Sequence, residues 1–397
     1  MSKLFTPLKS GRLELGHRVA MAPLTRYRAD DHQVQQIVKE ATEYYTQRAS
    51  TPGTLLITEA TQISPGAGGS YHGPGIWTGD QISAWRMVTD AVHAKGCKMF
   101  CQLWHLGRAG RPEVLASYGR KLKSSSPIAI DSTREVPEEM IEEEIWDTIS
   151  DYATAARNAI KAGFDGVEIH GANGYLPDQF LQDVCNQRTD IWGVSIENRA
   201  RFHLEVAKAV VAAVGAERTA MRLSPYSEYL GMRMADPMPQ FEYLVRELRT
   251  LGLAYLHLVE GRISGHSDTD VREGNTNAPL VRIWNNASPV LLAGGFTPAS
   301  AVQTVDQIYK DFDVVIVFGR HFLANPDLVF RLQNSIALNK YDRPTFYTPL
   351  VSEGYIDYPF CQEFTISKAE LITRPSTRDT RQQWTQDALR FFAKLAL

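Results

Sequence analysis

The residues best placed to do chemistry lie in one short segment, His170 to Tyr175 (HGANGY). His170 and Asn173 sit three apart at the end of a buried run, Gly163 to Gly171 (GFDGVEIHG), and in the loop that follows, so both can aim donors at one point. Two neutral donors converging on a carbonyl oxygen form an oxyanion-type site, which stabilises an enolate as charge develops. Tyr175 follows closely and offers a phenol proton. An electrophilic pair beside a proton donor suits hydride addition to an enone. Taken alone, such a pair is more often a core histidine and a turn asparagine. Its neighbours reverse that reading.

Those neighbours are the ends of other β-rich runs: Thr25-Arg26, Glu59-Ala60-Thr61, Gln102 to His105, Arg222 to Pro225 and Glu260-Gly261. Gly294-Gly295 and Gly319-Arg320 end the last two runs, where exposed backbone N–H groups and a cation would hold a phosphate. A Rossmann dinucleotide site is not indicated, because Gly66-Ala67-Gly68 lacks the third glycine of the fingerprint. No metal site is expected either: HExxH is absent, and Glu168-Ile169-His170 alone is a poor ligand set. Cys97 and Cys101 share a strand and a face and read as buried structural thiols, and four scattered cysteines make no disulfide framework.

The elements that must position these groups follow a rhythm. Eight β-rich runs recur: Val19 to Arg26, Gly53 to Thr61, Cys97 to His105, Gly163 to Gly171, Glu217 to Pro225, Leu253 to Gly261, Ser288 to Gly295 and Phe312 to Arg320. Several are almost continuously apolar, as parallel strands covered on both faces should be. Helical patterns lie between them. Ile141, Ile145, Ile149, Tyr152, Ala156, Ala159 and Ile160 form one stripe that stops at Gly163; Phe202, Val206, Val210 and Val214 form another that stops at Gly215. Eight strand–helix alternations predict an α/β fold, a closed (β/α)₈ barrel, with its active site at the C-terminal strand ends.

Additions to the barrel are expected too. An N-terminal β-hairpin should cap it. The long connection Leu106 to Glu139 should lie on the catalytic face and shape the pocket. Residues 1–360 would be the barrel, and 361–397 a C-terminal extension. In that extension a polar linker containing Pro375 would precede an amphipathic helix with Trp384, Ala388, Phe391, Phe392 and Leu395.

Bulk properties exclude other classes. The 397-residue chain is 44% apolar and 22% charged with a net charge of −3 and no basic block, so no nucleic-acid partner is expected. No signal peptide and no apolar run of about 20 residues is present, so a cytoplasmic protein without a membrane partner is expected.

Several blocks together resemble the old yellow enzyme family. They are MAPLTRYRA (Met21 to Ala29), CQLWHLGRA (Cys101 to Ala109), VEIHGANGYLPDQFL (Val167 to Leu181), SIENRARF (Ser195 to Phe202), RLSPY (Arg222 to Tyr226), FGRHFLANPDL (Phe318 to Leu328) and EGYIDYP (Glu353 to Pro359). YYTQRASTPGTLLITEAT (Tyr44 to Thr61) is similar to the fungal branch of secondary metabolism that includes the ergot-alkaloid aldehyde reductases. The resemblance implies FMN, and NADPH (or NADH) as hydride donor in a ping-pong reduction of the C=C bond of an α,β-unsaturated carbonyl.

It implies residue roles as well. Thr25 would bond the flavin near N5, Gln102 its pyrimidine edge, and Arg222 the N1–O2 side, with Pro23, Leu24 and Ala60 packed along the ring. Gly294, Gly295, Gly319 and Arg320 would bind the phosphate. His170 and Asn173 would hold the substrate carbonyl, Tyr175 would protonate the α-carbon, and Trp104 and Tyr347 would line the substrate pocket. In the fungal branch a tyrosine at the Tyr175 position goes with net reduction and a phenylalanine with isomerisation. The alternatives are a redox-neutral flavin isomerase or dehydrogenase and, more remotely, a non-catalytic barrel that binds ligands. Specificity would lie in Leu106 to Glu139, Glu228 to Ala235 and Arg262 to Asn277. Trp192-Gly193-Val194-Ser195 departs from the family's aromatic-Gly-Gly-Ser, and the protein would be a monomer or homodimer.

Overall fold

The computed structural model describes residues 2–10, 12–30, 38–264, 267–268 and 275–373. Eight strands form the barrel: β1 (Val19–Met21), β2 (Leu55–Ile57), β3 (Lys98–Trp104), β4 (Gly166–His170), β5 (Thr219–Leu223), β6 (Tyr255–Val259), β7 (Val290–Ala293) and β8 (Val314–Phe318). Each pairs in parallel with the next, and β8 pairs with β1, so the ring closes. Every strand lies inside one of the eight runs expected from the sequence.

Alternation along the strands explains the apolar runs. Met21, Leu56, Met99, Cys101, Ile169, Met221, Leu258 and Ile316 point outward into the layer between sheet and helices. Ala20, Leu55, Phe100, Ala220, Tyr255, Leu291 and Val315 point inward and fill the barrel. The same inward parity, continued towards the C-terminal ends, brings Gln102, Glu168, His170, Arg222 and His257 into the upper barrel. Cys97, Cys101 and Cys185 are buried and form no disulfide. Strands Leu8–Ser10 and Leu13–Leu15 pair antiparallel, and Leu8, Leu13 and Leu15 pack against the inward residues as the expected hairpin cap.

The helices start and stop for local reasons. Helix Glu142–Lys161 carries Glu142, Glu143 and Glu144 in its first turn, favourable at the positive end of the helix dipole, and Glu144 accepts a bond from the Ile141 N–H at 3.0 Å. Ile141 is therefore the N-cap and is 60% exposed, not part of the buried stripe as the spacing suggested. Helix Ile196–Val214 is capped by Ser195, whose Oγ accepts from the Asn198 N–H at 3.2 Å. Gly163 and Gly215 stand at the two helix ends, with φ of +92° and +96°. Val194, where the family pattern has glycine, takes φ +69° with its side chain exposed.

Leu106 to Glu139 is folded, with the short helix Pro112–Ser117 and a strand pair Lys123–Ser124 and Glu138–Glu139. Arg108 organises it: the guanidinium donates to Ile128 O at 3.1 Å and, across to another loop, to Leu230 O at 3.0 Å. The chain divides after Pro359 into two compact units. In the first part of the stretch expected to be a polar linker the chain forms a helix, Gln362–Thr373, whose Glu, Lys, Ala and Leu favour helix; Pro375 lies outside the described residues. The expected helix around Trp384 to Leu395 lies outside the described residues. No described helix is long and apolar enough to cross a membrane.

Candidate active site

A cavity of about 500 Å³ opens at the C-terminal ends of the barrel strands. Pro23, Leu24 and Thr25 reach it from the segment after β1, Ala60 from beyond β2, Gln102 from β3, His170 from β4 and Arg222 from β5. Gly294 and Gly295 line it beyond β7, Gly319 and Arg320 beyond β8, and Tyr347 from the later chain. All these positions were marked in the sequence, and the fold brings them to one place.

The HGANGY turn is held by its own helix. Asn173 (φ +57°) and Gly174 (φ +74°) take consecutive left-handed conformations, which turn the Asn173 side chain into the cavity. The Asn173 N–H donates to Ser224 Oγ at 2.7 Å, and the Gly174 N–H to Asp178 Oδ2 at 2.8 Å. A Cβ on Gly174 would meet Leu230 Cβ at 2.8 Å, so the turn also needs a residue without a side chain. Gln179 Nε2 closes the turn by donating to Gly174 O at 2.8 Å and Leu106 O at 3.0 Å.

Electrostatics suit the expected roles. Burial, helped by the neighbouring Arg222 charge, holds the His170 pKa well below 6.5, so the ring is neutral. Burial likewise raises the Tyr175 hydroxyl well above 10, which keeps it protonated. His170 Nδ1, Asn173 Oδ1 and Arg222 Nε are buried without a hydrogen-bond partner in the protein. The residues of all three line the cavity, where a ligand can partner such atoms.

At the far end, Gly294 (φ +131°) and Gly295 (φ +66°) adopt conformations closed to side chains, and a Cβ on Gly295 would sit 3.2 Å from Arg262 Nε. The Arg320 guanidinium lies over the Tyr341 ring, 5.5 Å from its centroid, and donates to its hydroxyl at 3.3 Å. Arg222, Arg262 and Arg320 line the cavity, and no carboxylate does among the described residues. Such a site favours an anionic, phosphorylated cofactor. The donor set fits FMN: glycine backbone with Arg320 and Arg262 for the phosphate, Gln102 and Arg222 for the polar edge of the ring, Pro23, Leu24 and Ala60 for its apolar surface. No group of three or more metal-ligating side chains occurs among the described residues.

Two findings differ from the sequence reading. Trp104 does not line the cavity; it is 2% exposed, clustered with Ala60 and Leu106, and stands edge-on behind Tyr175 at 5.1 Å. Its strand parity points inward, but Tyr175 covers it. The long connection Leu106 to Glu139 contributes no lining residue and acts through Arg108 on the turn that carries Tyr229. Tyr229 and Arg262 reach the cavity from two of the expected specificity loops, Glu228 to Ala235 and Arg262 to Asn277, and Tyr27 and Phe346 line it as well. They sit on irregular loops, where no periodicity marks them. Of the Arg262 to Asn277 loop, Arg262 itself reaches the cavity, and residues 265–266 and 269–274 lie outside the described set.

Comparison with known proteins agrees with this geometry. The sequence model of the NADH:flavin oxidoreductase / NADH oxidase family matches residues 3–339. The chain is 55% identical to the chanoclavine-I aldehyde reductase fgaOx3 of Penicillium roqueforti over 92% of this chain and 98% of that protein. It is 52% identical to the NADP-dependent oxidoreductase lnbE of Aspergillus flavus, over 91% and 97% of the two chains. The old yellow enzyme of Pichia sp. AKU4542 superposes with a TM-score of 0.83 at 37% identity, covering 91% of this chain and 94% of that one. The chain belongs to the NADH:flavin oxidoreductase / NADH oxidase family and is a flavin-dependent oxidoreductase of the old yellow enzyme type.

Proposed function

We propose that the protein uses NADPH to reduce the activated C=C bond of an α,β-unsaturated aldehyde or ketone, an intermediate of fungal secondary metabolism, with both guests using the cavity in turn. The observation that carries this reading is that a neutral His170 and Asn173 line the same cavity as the protonated Tyr175. FMN, when bound, supplies the hydride. His170 and Asn173 bind the substrate carbonyl and stabilise the enolate, as donors already in place in a water-poor site can. Tyr175 donates its phenol proton to the α-carbon. Tyr27, Tyr229 and Tyr347 surround the substrate end with aromatic surface, which suits a planar, ring-bearing enal. The names of the Penicillium and Aspergillus relatives, an aldehyde reductase and an NADP-dependent enzyme, support the aldehyde and the nicotinamide choice.

The test is an anaerobic absorbance titration. Oxidised-flavin bands should bleach with NADPH and return on adding an enal, with one saturated product formed per NADPH. Persistence of the bands, or turnover of an enal without NADPH consumption, would replace the reductase reading by the isomerase one. A colourless protein that does not take up FMN would overturn the site assignment.

A further inference from the structure

Directly below the cavity, the upper barrel holds a polar cluster that the reduction chemistry above does not use. Glu168 is fully buried on β4. Its Oε1 accepts from Gln102 Nε2 at 2.7 Å, and its Oε2 accepts from His257 Nδ1 at 2.8 Å. His257 is itself fully buried, and its Nε2 has no partner. A buried carboxylate in a barrel interior is costly unless it is paired and hydrogen-bonded, and its retention calls for a use.

Two consequences follow from the geometry. An ionised carboxylate only accepts hydrogen bonds, so the Gln102 amide must turn its NH₂ group down towards Glu168. Its carbonyl oxygen then serves the cavity, which Gln102 lines. The second consequence is electrical. Burial works against the charged form of Glu168, but the hydrogen bond from His257 and the charge of Arg222 outweigh it and hold the pKa below the usual value. The pKa of His257 is itself depressed, chiefly by burial, so the ring is neutral and donates a bond without adding charge. The formal charges in this layer are then the carboxylate of Glu168 and the guanidinium of Arg222, whose side chain lines the cavity.

Resting on the FMN reading above, we propose that Glu168 is a positioning residue of the flavin site. Its carboxylate fixes the Gln102 amide with the oxygen towards the cofactor and offsets the Arg222 charge, which keeps the reduction potential of bound FMN low. A lower potential makes the reduced cofactor a stronger donor. Without the offset, Arg222 would over-stabilise the negative charge of the reduced ring.

Glu168→Gln separates the charge from the hydrogen bonds. The new amide can still accept from Gln102 through its oxygen, and His257 can meet the amide NH₂ by moving its ring proton to Nε2. Midpoint potentials of the FMN-loaded wild type and variant are measured by dye equilibration, and FMN affinity by fluorescence. The variant should shift the oxidised-to-reduced equilibrium about tenfold towards the reduced form, an upward shift of about 30 mV for two electrons. An unchanged or lowered potential in a variant that binds FMN would overturn the proposal. If Glu168→Gln does not take up FMN, Glu168→Asp carries the test. It keeps the charge but withdraws the acceptor from Gln102, so FMN affinity should fall about tenfold with the potential near that of wild type. Unchanged affinity there, or a potential raised as much as expected for the neutral variant, would also overturn it. Failure of the wild type to bind FMN would instead strike at the flavin reading.

Discussion

The phenol ring of Tyr175 stands edge-on to the imidazole of His170, ring centroids 4.8 Å apart and planes at 71°. The proposed proton donor and the proposed carbonyl-binding group thus share one wall of the cavity, with Trp104 behind Tyr175 at 5.1 Å. Tyr175→Phe keeps the ring packing and removes only the proton. It should slow the oxidative half-reaction by roughly 10²-fold while FMN reduction by NADPH proceeds as in wild type. Stopped-flow traces of the two half-reactions check this, and equal loss in both would remove Tyr175 as the acid.

His170→Ala or Asn173→Ala should each cost on the order of 10²–10³ in the rate of enal reduction and weaken binding of phenols, which mimic the enolate. Unaltered phenol affinity in both variants would show that the carbonyl binds elsewhere.

The two shifted pKa values also set a pH profile. His170 gains a proton only well below pH 6.5, and Tyr175 loses one only well above pH 10. The oxidative half-reaction should therefore be flat between about pH 6.5 and 10, with activity lost at lower pH as His170 becomes charged and at higher pH as Tyr175 ionises. An inflection near pH 6.5 would mean that His170 is hydrated.

At the phosphate end, Arg320→Ala should weaken FMN binding by about 10- to 100-fold, the worth of a charge-assisted hydrogen bond. Gly295→Ala should weaken it too, because alanine is strained at φ +66° and its Cβ would press within 3.2 Å of Arg262 Nε. Fluorescence titration of the apoprotein with FMN measures both.

Val194 supplies a prediction about stability alone. A β-branched residue at φ +69° is held against its preference by the Ser195 cap that follows and by the Arg199 guanidinium, which donates to Val194 O at 2.7 Å. Val194→Gly should stabilise the protein by about 1 kcal/mol. A lower denaturation midpoint for the glycine variant would show that the valine side chain contributes more than the backbone loses.

The parts of this structure legible in the sequence are those where burial imposes a pattern. Strands buried on both faces read as apolar runs, so all eight could be located, and Arg222, Gln102 and His170 stood out as polar residues at their ends. Trp104 shows the limit of such reasoning: parity gave its direction but not that Tyr175, from the next loop, would lie over it. Tyr229 lay in the expected specificity loop Glu228 to Ala235, but that it is the residue facing the cavity was hidden for a different reason. It sits at the start of a turn where Leu230 takes φ +58°, and its place over the cavity depends on Arg108, more than a hundred residues earlier, bonding Leu230 O. A contact of that range leaves no local signature. The helix Gln362–Thr373 was overlooked because its polar composition resembles a linker when no apolar stripe marks a buried face.

The leucines of the N-terminal hairpin seal the floor of the barrel, and that seal governs traffic. A cavity closed below is entered from above, and under the proposed reaction donor and acceptor queue for the same doorway. Whichever is in excess holds the other out. Flux through the enzyme should then depend on the ratio of the two guests in the cell more than on the abundance of either, and a crowd of substrate should slow its own conversion.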